Sequence, residues 1–134
     1  MNSLASLVAA IPGAQATGDL SRAVRGLTHD SRRVQPGFLF AALPGQKTDG
    51  HLFIPDAVQR GACAVLAEMD RGALKTGDAA LILVPQTRPA LAAMAASFYD
   101  HPSRQLALTG VTGTNGKTTT TYLVEAILRA AGRK

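Results

Sequence analysis

The chain has 134 residues, 46% of them hydrophobic, so it can bury one compact core but is too short for a multidomain enzyme. Its 14 basic and 9 acidic residues give a net charge of +5, and the basic residues are scattered rather than interleaved with aromatic ones. This pattern argues against a nucleic-acid partner and favours a small acidic ligand. No apolar run approaches the roughly 20 residues of a membrane-spanning helix, and a single cysteine, Cys63, cannot form an internal disulfide. We therefore expect a cytoplasmic protein without a membrane span.

The first hundred residues alternate between helix and strand patterns. Residues 4–11 carry apolar side chains at positions i, i+3, i+4 and i+7, which predicts a short amphipathic helix. Pro55 and Gly61 bracket a second short helix, and Thr87 is the predicted N-cap of a longer one over residues 88–100. The alternation predicts an α/β fold with a parallel or mixed sheet. The predicted strands are residues 23–28, 38–43, 63–68 and 79–84, of which 38–43 is a continuous apolar run.

The last thirty residues read as the start of a second domain. "HPSRQ" (residues 101–105) has the composition of a linker, so we place the domains at 1–102 and 103–134. "LALTGV" (residues 106–111) is predicted to be a strand that leads into a Gly-rich loop. A helix is predicted from about Thr118 to Ala131, where Gly132 would end it.

The stretch "GVTGTNGKTTTT" (residues 110–121) has the design of a phosphate-binding loop. Glycines let backbone N–H groups approach an anion, and the helix N-terminus adds partial positive charge. Lys117 would reach the β- and γ-phosphates, and the hydroxyl of Thr118 would ligate Mg²⁺. The general pattern is not matched strictly, because Val111 occupies the place of its first glycine.

Two polar loops follow predicted strands. We call "HDSRRVQPG" (residues 29–37) the first polar loop and "PGQKTDGH" (residues 44–51) the second polar loop. Loops at the carboxyl ends of parallel strands are where α/β domains bind ligands. Asp30 and Asp49 are equally explained as turn formers that bond to nearby backbone, so the residues alone leave both interpretations open. The side chains available for a polar, phosphorylated ligand are His29, Ser31, Arg32, Lys47 and Thr48.

Together these motifs resemble the Mur ligases, which extend the peptide of the peptidoglycan precursor. The Gly-rich loop resembles the ATP loop of that family, and residues 29–68 resemble its N-terminal uridine-nucleotide domain. The sequence is most similar to the MurE type, because the loop reads Gly-Thr-Asn-Gly-Lys where the MurF type usually has Gly-Ser-x-Gly-Lys. The second polar loop departs from one common form of the family pattern, since "GQKTDG" stands where "GHQADG" often occurs.

The resemblance implies an ATP-dependent carbon–nitrogen ligase that requires Mg²⁺. ATP would phosphorylate the carboxylate of UDP-N-acetylmuramoyl-L-alanyl-D-glutamate, and the amine of a third amino acid would attack the acyl phosphate. That amino acid would be meso-diaminopimelate or L-lysine. The residues implied for ATP are Gly113, Thr114, Asn115, Gly116, Lys117, Thr118 and Thr119, with Thr118 also on the metal. The residues implied for the uridine diphosphate are His29, Ser31, Gln46, Lys47 and Thr48.

In the family, the central domain continues well beyond its ATP loop, and a third domain grips the incoming amino acid. We therefore expect this chain to be a fragment that carries no catalytic residue and cannot ligate alone. The alternatives are a fragment of a MurF-type ligase, a non-catalytic uridine-nucleotide-binding module and an unrelated P-loop NTPase.

Overall fold

The structure is a computed structural model that describes residues 3–45, 48–69, 74–107 and 109–133. The chain divides into two compact units, Met1–Pro102 and Ser103–Lys134, each of which is described by itself. None of the helices in the described part of the chain has the length and apolar character needed to cross a bilayer.

The first unit is built on one five-stranded sheet with the order β1-β5-β4-β3-β2. Strands β2 to β5 are parallel to their neighbours, whereas β1 lies antiparallel on the edge beside β5. In the register, Leu39 lies opposite Ala64, which lies opposite Ala80. The predicted α/β class with a mixed sheet is confirmed, and β1 is a strand that the sequence did not predict. The strands are β1 (Gln15–Thr17), β2 (Gly26–Thr28), β3 (Phe38–Ala41), β4 (Ala64–Glu68) and β5 (Ala80–Val84).

Helices cover both faces of this sheet, because successive side chains on a strand point to opposite faces. Leu39 and Leu66 are fully buried in a cluster with α1 (Leu4–Ala9) and α3 (Thr87–Phe98). Phe40 and Val65, their neighbours in sequence, are fully buried in a second cluster under α2 (Ile54–Gln59). The result is a three-layer α/β/α unit in which the central strands are apolar on both sides.

Among the described α-helices, α1 begins with a side-chain cap, whereas α2, α3 and α4 do not. The Ser3 hydroxyl accepts the Ser6 N–H at 3.2 Å before α1. Gln86, not Thr87, is the N-cap of α3, and no side chain caps it locally, so the prediction that Thr87 caps this helix is wrong. Instead, the carboxylate of Glu68, from the end of β4, accepts the Thr87 N–H at 3.5 Å. A tertiary contact thus replaces the local cap.

The second unit contains the helix α4 (Lys117–Ala130), close to its predicted bounds, and Gly132 follows it with φ of +71°. The predicted strand at residues 106–111 is absent from the part of that stretch that the structure describes. A strand needs the backbone of a neighbouring strand to bond, and the described residues of this unit contain no strand. The apolar stripe of α4 is exposed, with Leu123 at 61% and Ile127 at 67%.

Candidate functional site

Both polar loops of the first unit leave the sheet at the carboxyl ends of adjacent parallel strands, β2 and β3. Each loop leads into a short 3₁₀ helix, Ser31–Arg33 in one case and Gly50–Phe53 in the other. An aspartate side chain caps each of these turns, which explains the Asp30 and Asp49 turn signals in the sequence. Helix α2 packs against both 3₁₀ helices and so fixes the two loops to one edge of the sheet.

A cleft of about 520 Å³ opens beside the first polar loop. Of the predicted residues, His29 lines it as an exposed side chain and Ser31 as a buried one. Phe53 also lines the cleft and presents an aromatic side chain that is 43% exposed. The cleft therefore combines polar groups of the first polar loop with an aromatic residue two positions after the end of the second. Its remaining lining residues are Asp30, Arg32 and Asp56.

The charges in this cleft are paired. Arg32 forms a bidentate ion pair with Asp30, in which Nε lies 2.9 Å from Oδ1 and Nη2 lies 2.8 Å from Oδ2. These hydrogen bonds lower the pKa of Asp30 to about 2 and raise the pKa of Arg32. A hydrogen bond from the Ser31 hydroxyl, followed by one from Arg60, lowers the pKa of Asp56. The Ser31 hydroxyl is thus oriented by a carboxylate on α2, at the wall of the cleft.

The second polar loop supplies the other predicted uridine-site residues. Thr48 is exposed. Gln46 and Lys47 lie outside the described residues, so their assignment stays a prediction. The base of the loop is closed by a hydrogen bond of 3.0 Å from the Gly50 N–H to the Leu43 carbonyl.

Two residues of the Gly-rich loop in the second unit have backbone conformations that favour glycine. Gly113 has φ of +149° and Gly116 has φ of +78°, conformations that residues with a Cβ rarely adopt. Lys117 is the first residue of α4, and its ammonium donates to the Gly113 carbonyl and to the Thr114 carbonyl, 3.4 Å away in the second case. The cationic group therefore lies over the loop itself. All seven predicted nucleotide residues, 113–119, are exposed.

No group of three or more histidine, cysteine, aspartate or glutamate side chains converges among the residues that the structure describes.

Two residues near the polar loops were not found by sequence reasoning. Asp56 lies on α2 and reaches Ser31 only through tertiary packing. His51 was assigned no role, although its ring is buried and bonded at the sheet edge. The spacing Asp49–His51 was the available signal, because an aspartate two residues before a histidine can bond both its backbone and its ring.

Comparison with known proteins assigns the family. Residues 23–99 match the family described as Mur ligase family, catalytic domain, and residues 111–134 match the Mur ligase middle domain. The UDP-N-acetylmuramoyl-L-alanyl-D-glutamate--2,6-diaminopimelate ligase of Syntrophomonas wolfei is 52% identical over 119 residues, which cover 87% of this chain and 24% of that protein.

Two solved structures of the MurF ligase are also similar. The Acinetobacter baumannii protein aligns with a TM-score of 0.73 at 25% identity, covering 96% of this chain and 27% of that one. The Thermotoga maritima protein, in complex with ADP, aligns with a TM-score of 0.58 at 31% identity, covering 80% of this chain and 24% of that one. This chain spans about a quarter of the length of the curated relatives that it matches. Since the match over residues 23–99 takes in more than half of its residues, the chain belongs to the Mur ligase family.

Proposed function

We propose that this chain supplies the uridine-nucleotide site and the ATP loop of a MurE-type ligase, which adds the third residue to UDP-N-acetylmuramoyl-L-alanyl-D-glutamate. The observation that carries the proposal is the cleft at the carboxyl edge of the sheet, where the first polar loop meets the residues that follow the second. The ligase of S. wolfei, named for the same chemistry, supports the MurE type and supports diaminopimelate as the added amino acid.

At the uridine end, the ligand is a nucleoside diphosphate that carries a sugar and a peptide. We assign Ser31 and His29 to the diphosphate and uridine contacts in the cleft, with Thr48 from the second polar loop. Hydroxyl, imidazole and backbone N–H groups suit phosphate oxygens because each can donate a hydrogen bond. Gln46 and Lys47 complete the assignment as predictions from the family pattern.

At the nucleotide end, we assign residues 113–119 to ATP. The site that a Cβ would occupy at Gly116 has no atom within 4 Å, so the loop has room for a ligand. The N–H groups of the first turn of α4 lack helical partners and suit phosphate oxygens. Lys117 would exchange its loop carbonyls for the phosphates. Bound Mg²⁺, held by Thr118, would neutralise phosphate charge.

We propose that Met1–Pro102 is the uridine-nucleotide domain and that Ser103–Lys134 is the start of the ATP-binding domain. In the proposed reaction, the substrate carboxylate takes the γ-phosphoryl group and releases ADP. The amine of the amino acid then displaces phosphate and forms the peptide bond. The contribution of this chain is to hold two of the three substrates in place. We assign no catalytic residue to it, and ligation as a whole requires parts of the longer relatives that it does not match.

A MurF-type ligase is the nearest alternative, supported by the solved structures at 25% and 31% identity. The MurE assignment is preferred because the identity to the S. wolfei ligase is 52% over nearly the same residues. A non-catalytic uridine-nucleotide-binding module would make the same uridine contacts, but it would not bind ATP at the Gly-rich loop.

The test is calorimetric titration of the chain with UDP-N-acetylmuramoyl-L-alanyl-D-glutamate, with UDP and with Mg-ATP. We expect Ser31→Ala to weaken both uridine ligands by roughly three- to tenfold, the value of one hydrogen bond in the cleft. Ser21→Ala is the matched control, because Ser21 is exposed and its hydroxyl bonds Asp19, away from the cleft. Lys117→Met should weaken Mg-ATP and leave the uridine ligands unchanged.

Three results would change the assignment. Uridine binding that Ser31→Ala leaves intact would move the uridine site elsewhere. Uridine binding without any Mg-ATP binding would favour the non-catalytic module. A folded chain that binds neither UDP nor UDP-N-acetylmuramoyl-L-alanyl-D-glutamate would overturn the proposal that this chain holds the uridine nucleotide.

A further inference from the structure

The imidazole of His51, the last residue of the second polar loop, is bonded at both nitrogens. Its side chain is only 8% exposed, with Nδ1 at 2.6 Å from Asp49 Oδ1. The other nitrogen, Nε2, accepts the backbone N–H of Glu68 at 3.3 Å. A peptide N–H can only donate, so Nε2 must carry a lone pair and the ring proton must be on Nδ1. The geometry requires the neutral Nδ1–H tautomer.

The contact from His51 to Glu68 takes the place of a strand-to-strand hydrogen bond between β3 and β4. The ladder between β3 and β4 continues as far as a 2.9 Å bond from the Ala42 N–H to the Leu66 carbonyl, and then the chain leaves the sheet. In a longer parallel ladder, a carbonyl of β3 would accept the Glu68 N–H. The His51 ring accepts it instead, so the end of the second polar loop is joined to β4.

The beginning of the same loop is also bonded to another element, the helix α3. Arg88, an exposed residue in the first turn of α3, donates from Nη2 to the Pro44 carbonyl at 3.0 Å. Gly45 and Thr48 therefore lie in a loop whose two ends are fastened to different elements, one to α3 and one to β4. The groups that bond Pro44 and His51, at the two ends of this loop, are not among the residues that line the cleft.

We propose that His51 is a positioning residue for the uridine nucleotide: it holds the second polar loop in its binding conformation without contacting the ligand. This inference rests on the proposed function of that loop. A loop released from β4 would sample more conformations, and ligand binding would have to select one of them at an entropic cost. The apparent affinity for the nucleotide falls in proportion to the fraction of molecules whose loop is in the binding conformation.

The test compares His51→Asn, His51→Gln and the wild-type chain in titrations with UDP. The Asn amide matches the position of Nδ1 and cannot reach Glu68, so UDP should bind roughly three- to tenfold more weakly. The longer Gln amide places an oxygen near the position of Nε2 and should restore most of the affinity. His101→Asn is the control, because His101 has φ of +50°, a backbone that Asn tolerates, and lies outside both polar loops. All titrations are made below the melting transition of each variant, so a loss of stability alone leaves affinity unchanged.

A second readout reports the bond itself. Long-range ¹H–¹⁵N NMR of the wild-type chain should show His51 with the proton on Nδ1 and an unprotonated Nε2. Detection of the Nε2–H form, or full UDP affinity in folded His51→Asn, would overturn the inference. If His51→Asn does not fold, Arg88→Ala frees the loop at its other end, and unchanged UDP affinity there would also overturn it. A wild-type chain that binds no uridine ligand would instead overturn the proposed function, and the positioning role with it.

Discussion

Replacing Gly50 by alanine should force the base of the second polar loop apart. A Cβ at this position would lie 2.5 Å from the Leu43 oxygen and 2.7 Å from the Leu43 nitrogen. Both are backbone atoms, so no side-chain rotation can relieve the contact. Gly50 is not in the left-handed region, which means that the cost comes from this contact and not from its own backbone conformation.

The magnitude follows from two contributions. Overpacking a tightly packed position costs about 1 to 3 kcal/mol. Moving the backbone also breaks the 3.0 Å bond from the Gly50 N–H to the Leu43 carbonyl, which contributes about 0.5 to 1.5 kcal/mol. We therefore expect Gly50→Ala to lower the free energy of unfolding by about 1.5 to 4.5 kcal/mol.

Urea unfolding followed by circular dichroism measures this loss, and titration with UDP below the transition measures the effect on the loop. Gly13→Ala is the matched control. A Cβ there meets no atom within 4 Å, although φ is +77°. It should cost about 1 kcal/mol through backbone conformation alone and should leave UDP binding intact. A cost for Gly50→Ala no greater than that of the control would refute the reasoning, because it would mean that the loop base yields freely.

Three further predictions concern single side chains. Asp30 should titrate by ¹³C NMR with a pKa of about 2, and Arg32→Ala should return the pKa toward 3.8. The pKa of Asp30 is lower in the folded chain than in the unfolded one. The Asp30 ion pair therefore favours folding above about pH 4, and that contribution is lost as the pH falls toward 2. An unchanged Asp30 pKa in Arg32→Ala would show that Arg32 does not cause the shift. Thr87 is fully buried with a hydroxyl that has no partner among the described residues, so in urea unfolding Thr87→Val should be neutral or stabilising by up to about 1 kcal/mol, and a marked loss would reveal a bound water on that hydroxyl. Burial raises the pKa of the Cys63 thiol, so a thiol reagent should react only as the chain unfolds; fast reaction in the native state would contradict this.

The fold was predictable where the hydrophobic pattern and the glycine or proline residues that bound an element indicate the same structure. β3 and β5 are continuous apolar runs, and Gly61 and Gly132, both with positive φ, follow the helices that they were predicted to end. The strand β1 was missed because its three residues, Gln15–Thr17, are exposed at both ends and form no apolar run. The strand predicted at residues 106–111 shows the opposite limit, since an apolar run becomes a strand only beside another strand.

Part of the candidate site consists of residues that the sequence singled out. His29 and Ser31 line the cleft, and Gly113 and Gly116 have positive φ values, while the binding roles of all four stay predictions. The roles of Asp56 and His51 were not predictable, because each depends on a contact between segments that the sequence does not bring together. The ion pair between Arg32 and Asp30 was also not predicted from the sequence, although the two residues are close in the chain.

We expect the two faces of the sheet to differ in their resistance to local opening. One face is covered by α1 together with the 12-residue α3, whereas the other is covered by α2, a helix of only six residues. A helix of that length has little stability of its own, so amides in α2 should exchange with solvent sooner than those in α3. Since α2 supports both polar loops, a ligand that needs them ordered is thermodynamically linked to this opening, and occupancy should slow exchange in α2. Uridine-nucleotide affinity would then report on the order of this small helix as well as on direct contacts.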